Sequence, residues 1–336
     1  MGISTGAGVV IAQFFGAGDL SKMKKAIHNS IALTLVIGVV LTVVGLVFND
    51  PILKAIGVPS DVFSEALTYL SIYFWSLIFV MIYNMGSGIL RSVGDSKRPL
   101  YFLIFSSVIN IVLDFLFVKN FGFGVAGAGY ATLIAQAISA IMVMYVLMKT
   151  EDSYKVVLKD IKFDKEILLK IIKIGLPTGF QQSIVSLSNV IVQSYINVYG
   201  ASVIAGYSVT IKIDGFVNLP LQAFNMAITT FVGQNIGAKQ YNRVKKGAYI
   251  TTFLAMVTIG FFVVIMYFFG RDFIALFNQE KDVIDAGRLM QLTFLPFYIF
   301  LPINQVINGV LRGAGRSAVP MYVMIFSFVF LRQIYL

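Results

Sequence analysis

Long apolar runs separated by short charged stretches dominate the pattern of this chain. A run of about 20 apolar residues crosses a bilayer as a helix, whereas a membrane β-barrel would show short alternating segments. Nine helical membrane segments are predicted, at 28–48, 66–90, 99–118, 124–148, 171–199, 203–236, 247–269, 286–311 and 318–336. The pattern therefore predicts an all-α integral membrane protein.

Composition supports the membrane assignment and narrows the chemistry. Hydrophobic residues make up 58% and charged residues 12% of the 336 positions, and this charged share is about half that of a soluble domain. Cysteine is absent, which excludes disulfides and thiolate metal sites. The one histidine, His28, lies at a predicted loop-to-helix edge. We expect no metal centre and no organic cofactor.

The net charge of +10 is distributed asymmetrically between alternate loops. One side holds 19 Lys and Arg residues and the other holds five, whereas the acids divide evenly, with seven on each side. This is the positive-inside pattern of a protein in the inner, cytoplasmic membrane. It predicts a cytoplasmic location for the charged stretch 149–173, and it explains the basic excess without nucleic-acid binding.

The sequence repeats itself without a gap at an offset of 221 residues. This interval spans six predicted segments, an even number, so the two copies enter the membrane from the same side as parallel repeats. We predict two homologous six-helix bundles, with an amino-terminal lobe at 1–148, a linker at 149–173 and a carboxy-terminal lobe at 174–336. The repeated positions include Gln13, Gly16, Ala17, Gly88, Leu90, Arg91 and Gly94, which match Gln234, Gly237, Ala238, Gly309, Leu311, Arg312 and Gly315.

Projecting one repeat onto the other predicts which helices the chain lacks. Residues 2–15 would cover only about 21 Å as a helix, less than the hydrocarbon core of about 30 Å. The last segment stops at Leu336 within an apolar run. We therefore expect truncation at both ends, with helix 1, part of helix 2 and helix 12 missing. Helices 2–6 then form the first lobe and helices 7–11 the second.

Short motifs at matching places in both repeats resemble one known family. They are Gln13-Phe-Phe-Gly16-Ala17 and Gln234-Asn-Ile-Gly237-Ala238 at the inner ends of helices 2 and 8, Gly88-Ile-Leu-Arg91-Ser-Val-Gly94-Asp and Gly309-Val-Leu-Arg312-Gly-Ala-Gly315-Arg after helices 4 and 10, and Gly175-Leu-Pro177 opening helix 7. In this order the motifs resemble the multidrug and toxic compound extrusion (MATE) family over essentially the whole chain.

The resemblance implies two lobes around a central cavity and alternating access to the two sides of the membrane. It implies efflux of organic cations or amphipathic drugs in antiport with sodium or protons, and the choice of coupling ion stays open. We expect a monomer in membrane lipid. A flippase for lipid-linked saccharides from the same superfamily is the alternative. A membrane-embedded enzyme is a remote alternative, since it needs a nucleophile with a base or a metal cluster.

Two of the sixteen acids, Asp114 and Asp214, lie within predicted membrane segments. A charge there costs about 2.5–3.5 kcal/mol on the insertion scale and indicates function by default. Ser106, Asn110 and Asp114 recur every four residues and share one face of helix 5, the predicted segment 99–118. Thr132 on helix 6, the predicted segment 124–148, lies at a depth in the membrane similar to that of Asn110. The resemblance implies an amino-terminal-lobe cation site at the positions of Asn110, Asp114 and Thr132, with a partner acid on the absent helix 1.

The second repeat lacks this polar pair, since its counterparts of Asn110 and Asp114 are Leu331 and Tyr335. Its helices 7 and 10 also lack the coupling acid that some relatives place there. Lys212 stands two residues from Asp214, and so on a different side of the helix, which excludes a mutual salt bridge. Pro296 and Pro302 predict bending of helix 10. The candidates for a substrate path are Gln181, Gln182, Asn189, Lys212 and Asp214.

Overall fold

The computed structural model describes residues 1–335, and at 333 and 335 it describes the backbone alone. Every regular element in this range is helical, which confirms the predicted all-α class. The first half contains α1 (Gly2–Gly16), α2 (Leu20–Ile56), α3 (Phe63–Ser92), α4 (Lys97–Asp114) with a π-helical turn (Phe115–Asn120), α5 (Gly124–Lys149) and a 3-10 turn (Leu158–Asp160).

The second half begins with α6 (Lys165–Ile196), a 3-10 turn (Asn197–Tyr199) and α7 (Ala201–Gly237). It continues with α8 (Tyr241–Ala275), α9 (Lys281–Phe294), a 3-10 segment (Leu295–Ile299) and α10 (Phe300–Gly313). The last elements are α11 (Ala318–Ile325), a second π-helical segment (Phe326–Leu331) and α12 (Arg332–Tyr335).

Contacts divide the chain into two compact units that meet in sequence between Gly175 and Leu176. Gly2 is grouped with the second unit, although its neighbours in sequence belong to the first. The division falls inside α6, so this helix begins in the first unit and continues in the second. Each unit has its own core of buried Ile, Val, Leu and Met side chains.

Six helical stretches of the described chain are long and apolar enough to cross a membrane. They are Leu20–Ile56, Phe63–Ser92, Lys97–Asn120, Gly124–Lys149, Tyr241–Ala275 and Lys281–Gly313. The protein is therefore a multi-pass membrane protein. The long helices α6 and α7 are outside this set because polar side chains interrupt their apolar runs, and they hold all five candidates for the substrate path.

Helix α2 begins at Leu20, eight residues before His28, and so earlier than the sequence pattern predicted. Asp19 caps it, because its carboxylate accepts a hydrogen bond from the backbone N–H of Lys22 at 3.0 Å. That bond and a second one from the Lys22 side chain lower the pKa of the Asp19 carboxyl. His28 consequently lies inside the helix and is 5% exposed, instead of standing at a helix edge.

The stretch between α5 and α6 is attached to this part of α2. The backbone N–H of Val157 donates to His28 Nε2 at 2.9 Å, and Asn29 Nδ2 donates to the carbonyl of Asp164 at 2.7 Å. Lys25 adds an ion pair to the Asp164 carboxylate at 3.8 Å. The charged linker is thus held against the first unit by side chains of α2.

In the second unit, α7 lies alongside α9 and α10 and runs in the same direction. The glycine pair Gly206 and Gly287 meets near the start of both, where a Cβ on Gly206 would come within 2.8 Å of the Gly287 nitrogen. Further along, Asn225 Nδ2 donates to the Gln305 carbonyl at 2.6 Å. Between these two contacts, the 3-10 segment Leu295–Ile299, which contains Pro296, separates α9 from α10.

Candidate functional site

Asp114 ends α4 and carries a carboxylate oxygen, Oδ1, that is buried and accepts no hydrogen bond within the described residues. One turn earlier, Asn110 Nδ2 is also buried without an acceptor. Ser106, a further turn back, is 6% exposed and donates to its own helix at the Leu103 carbonyl. The face predicted from the four-residue spacing is therefore partly to fully buried, with two unpaired polar atoms toward its carboxy-terminal end.

The backbone changes from α to π geometry directly after Asp114. The amide of Phe121 donates to the Leu116 carbonyl at 3.0 Å, five residues back, which is the π-helical pattern. Gly127 at the start of α5 allows this turn to pack closely, since a Cβ there would lie 3.1 Å from Phe117 Cβ.

Thr132 lies in α5, which packs against α4. Its side chain is half-buried, and among the described residues it makes no hydrogen bond to Asn110 or Asp114. The packing of the two helices follows from the sequence, whereas a ligand shared by the three side chains stays a prediction. Tyr335, the counterpart of Asp114 in the second repeat, has a side chain outside the described residues.

Gln181 differs from the other candidates on α6 because it is 5% exposed and bound to an arginine. Its Oε1 accepts from Arg312 Nη2 at 2.9 Å, and Arg312 Nη1 donates to Asn225 Oδ1 at 2.9 Å. The guanidinium in the last turn of α10 thus bridges α6 and α7 through two neutral amides. The sequence pattern placed Arg312 in an inner loop and gave no sign of this bridge.

Gln182 and Asn189 are exposed on α6. Asn189 Oδ1 accepts from Arg332 Nη1 at 3.4 Å, and the neighbouring Ser188 Oγ accepts from the same nitrogen at 2.8 Å. Arg332 therefore has oxygen partners on α6, and it also lies over the Phe328 ring at 5.4 Å. Of the α6 candidates, Gln182 has the side chain most open for a ligand.

Lys212 and Asp214 on α7 have separate partners, in line with the prediction from their spacing. Lys212 is exposed, and its ammonium lies 5.8 Å from the centre of the Phe277 ring. Asp214 is partly buried and accepts a hydrogen bond from the hydroxyl of Tyr298. Sequence reasoning missed Tyr298, because a tyrosine within an apolar run has the signature of an ordinary core residue.

Among the described residues, no three His, Asp or Glu side chains come together as a metal site. The two candidate carboxylates are separate: Asp214 accepts from one tyrosine hydroxyl, and Asp114 follows Asn110 by one turn on the same helix. Such surroundings suit a proton or a monovalent cation better than a divalent ion, which usually takes more than one carboxylate.

Comparison with known proteins gives consistent matches over nearly the whole chain. The MatE family model matches residues 1–116 and 177–335. The probable multidrug resistance protein YoeA of Bacillus subtilis (strain 168) is 31% identical over 97% of this chain and 72% of its own length. The probable multidrug resistance protein YpnP of the same organism is 29% identical over 99% of this chain and 74% of its own length.

The fold is also that of solved transporters. A structure described as the outward-facing conformation of a multidrug resistance MATE family transporter of the MOP superfamily superposes with a TM-score of 0.93. It is 24% identical in sequence, and the match covers 98% of this chain and 74% of that one. The helical membrane architecture, the family model and the relatives agree, and we conclude that this chain belongs to the MatE family and is a transporter, not an enzyme.

Proposed function

We propose that this chain exports organic cations or amphipathic drugs in antiport with sodium or protons, through alternating access to the two sides of the membrane. Two relatives that cover nearly the whole chain are named as probable multidrug resistance proteins, which supports drug export. Efflux against a gradient needs a second, downhill flow, and a titratable or cation-binding group within the membrane can connect the two flows.

The observation that carries the coupling proposal is the buried, unpaired Oδ1 of Asp114. A carboxylate removed from water is strongly unfavourable unless a proton, a cation or hydrogen bonds compensate its charge. Protein donors do not compensate this oxygen in the described chain, so a proton or cation is the natural ligand. In the proposal, drug release and cation binding alternate because the carboxylate favours different states of the transporter when loaded and when empty.

Asn110 and Thr132 contribute uncharged oxygen ligands in this proposal. An amide oxygen and a hydroxyl are hard donors that suit sodium, and reorientation of the Asn110 amide would present its oxygen where the unpaired Nδ2 now stands. Loss of either oxygen leaves the charge of Asp114 in place. We therefore expect Asn110→Ala and Thr132→Ala to weaken the cation dependence of efflux without abolishing efflux.

The drug path is proposed to follow the polar faces of α6 and α7. Gln182, Asn189 and Lys212 are exposed on these helices, as side chains along a wet path would be. Gln181, another candidate, is instead buried against Arg312, so it supports the helix packing around the path.

Ethidium efflux from liposomes holding the purified, complete gene product tests the proposal, with sodium and proton gradients imposed separately. Asp114→Asn is nearly isosteric but can neither take up a proton nor offer a negative charge. We expect its efflux to fall to the level of empty liposomes while its melting temperature in detergent stays close to that of the wild type. The control is Asp50→Asn, which removes an exposed acid paired with Lys54 at 2.7 Å, and it should transport normally.

Two outcomes would contradict the site. Wild-type efflux with an unchanged cation dependence in Asp114→Asn would exclude Asp114 as the coupling group. Lost efflux together with a large drop in melting temperature would assign Asp114 to a structural hydrogen-bond network. The gradient that drives the wild type identifies the coupling ion.

A further inference from the structure

Asp214 and Tyr298 form an isolated polar pair inside the second unit. Tyr298 is 6% exposed, and its hydroxyl donates to Asp214 Oδ1. It is the one side chain that donates to this carboxylate in the described part of the chain. An acid on α7 is thus tied to the 3-10 segment between α9 and α10 by a single hydrogen bond.

Other charged groups on the surrounding helices have partners of their own. Arg271 of α8 pairs with Asp285 of α9 at 2.9 Å, and Arg288 of α9 donates to the carbonyls of Met266 and Tyr267. Arg312 of α10 is held by its two amides. Within the described residues, these three arginines are bound to other groups, and Asp214 is in none of the ion pairs.

The remaining charged or titratable groups to consider are on α7 itself and on α12. Tyr207 lies seven residues before Asp214, on the same helical face, and Arg332 of α12 donates to Ser188 and Asn189 of α6. Lys212 extends to the Phe277 ring instead of to Asp214. The charge balance of this region therefore depends on whether Asp214 carries a proton.

The helix to which Tyr298 belongs is interrupted where the hydrogen bond is made. Leu295–Ile299 adopts 3-10 geometry, with Pro296 near its start. Pro302 falls in the first turn of α10, where a missing N–H does not disrupt the helix. A 3-10 stretch within a long helix is typical of a hinge.

Close contacts fix this helix to α7 on both sides of the interruption. Before it, Thr210 Oγ1 donates to the Gly287 carbonyl at 3.3 Å beside the close glycine approach. After it, Thr229 Oγ1 donates to the Gly309 carbonyl at 3.2 Å. These contacts involve no titratable side chain. Among the described residues, the bond from Tyr298 to Asp214 is the one side-chain hydrogen bond between Leu295–Ile299 and α7 whose strength depends on protonation.

We propose that Asp214 and Tyr298 form a proton-binding site, in which uptake of a proton by the Asp214 carboxylate weakens its hydrogen bond from the Tyr298 hydroxyl and loosens the 3-10 segment. The ligand is a proton because the tyrosine donates its hydrogen, and a metal cation needs several oxygens that offer lone pairs. The inference deepens the antiport proposal by adding a second protonation site, and it rests on that proposal only for the role of the proton in transport.

Infrared difference spectroscopy of the protein in lipid, titrated with acid, tests the site without any transport assay. The wild type should show the carbonyl stretch of a protonated carboxyl that is lost in Asp214→Asn and retained in Asp114→Asn. In Tyr298→Phe the band should remain, but its midpoint should move upward by about one pH unit, because a donor to the charged form has been removed. A failure of the Asp114 site would leave the Asp214 band intact, so the two proposals are separable.

A spin label tests the movement. The chain has no cysteine, so Ile299→Cys, at a position 58% exposed beside Tyr298, and the control Phe261→Cys on α8, 64% exposed, each carry one label. Mobility at 299 should rise on acidification in the wild-type background and be independent of pH with Asp214→Asn, while mobility at 261 stays constant. An identical carboxyl band in wild type and Asp214→Asn, or a pH-independent label at 299 in the wild type, would overturn the proposal.

Discussion

His28 Nε2 accepts a hydrogen bond from the backbone N–H of Val157, 129 residues further along the chain, at 2.9 Å. A backbone N–H can only donate, so Nε2 is the acceptor in this hydrogen bond. The other nitrogen, Nδ1, then donates to the Lys24 carbonyl at 2.7 Å. Both ring nitrogens are used, and the bond to Val157 joins the linker to α2.

Replacement of this histidine should release the linker. His28→Phe keeps a ring but loses both bonds, and we expect the unfolding free energy to fall by about 1–3 kcal/mol. Trypsin cleavage at Lys159 should accelerate by about tenfold for each decrease of 1.4 kcal/mol in the free energy of local opening of the linker. Lys24→Ala, on the exposed side of the same turn, is the control. Equal cleavage rates in wild type and His28→Phe would show that the linker is held by other contacts.

Helix packing in the second unit predicts a contrast between two glycines of α7. A Cβ at Gly206 would lie 2.8 Å from the Gly287 nitrogen and 2.9 Å from the Val283 carbonyl oxygen, so Gly206→Ala requires backbone movement. We expect a loss of about 1–3 kcal/mol from overpacking. At Gly215 nothing lies within 4 Å, so Gly215→Ala should be neutral or stabilising by up to about 1 kcal/mol. Melting in detergent measures both, and equal effects would contradict the close approach.

The arginine bridge predicts that Arg312→Lys is not conservative. Lysine cannot reproduce the planar fork that reaches the Gln181 and Asn225 oxygens at once, and one amide should lose its partner. We expect a loss of about 1–2 kcal/mol in unfolding free energy. Arg316→Lys, at an exposed position four residues later, should leave the melting temperature unchanged. If the two variants melt alike, the bridge does not stabilise the fold.

Single cysteines test the proposed topology. Lys159→Cys should resist a membrane-impermeant thiol reagent in intact cells and react after lysis, because the linker is proposed to be cytoplasmic. Lys281→Cys, exposed at the start of α9, should react in intact cells. Lys and Arg near helix ends resist translocation, which gives the expected sides. The reverse labelling pattern would show that the topology is opposite to the proposed one.

The sequence predicted the helices well because membrane burial requires long apolar runs that are visible locally. It also identified the shared face of Asn110 and Asp114, which depends only on helical spacing. It missed Tyr298 as the partner of Asp214 and Gln181 as the partner of Arg312, because such pairs depend on the register between helices far apart in sequence. It placed the start of α2 too late, since the lysines after Asp19 resemble a loop although the aspartate is a capping signal.

The π-helical turn after Asp114 gives α4 an extra residue relative to an unbroken α-helix. If the turn tightened to α geometry, the extra residue would shift to a neighbouring position in the helix. The side chains before the turn would then rotate by about 100° around the helix axis relative to those after it. Asp114 directly precedes this turn, and Lys119 lies near the end of it. A local exchange of hydrogen-bond partners would therefore reorient the Asp114 carboxylate relative to the carboxy-terminal end of its own helix while the helix stays folded.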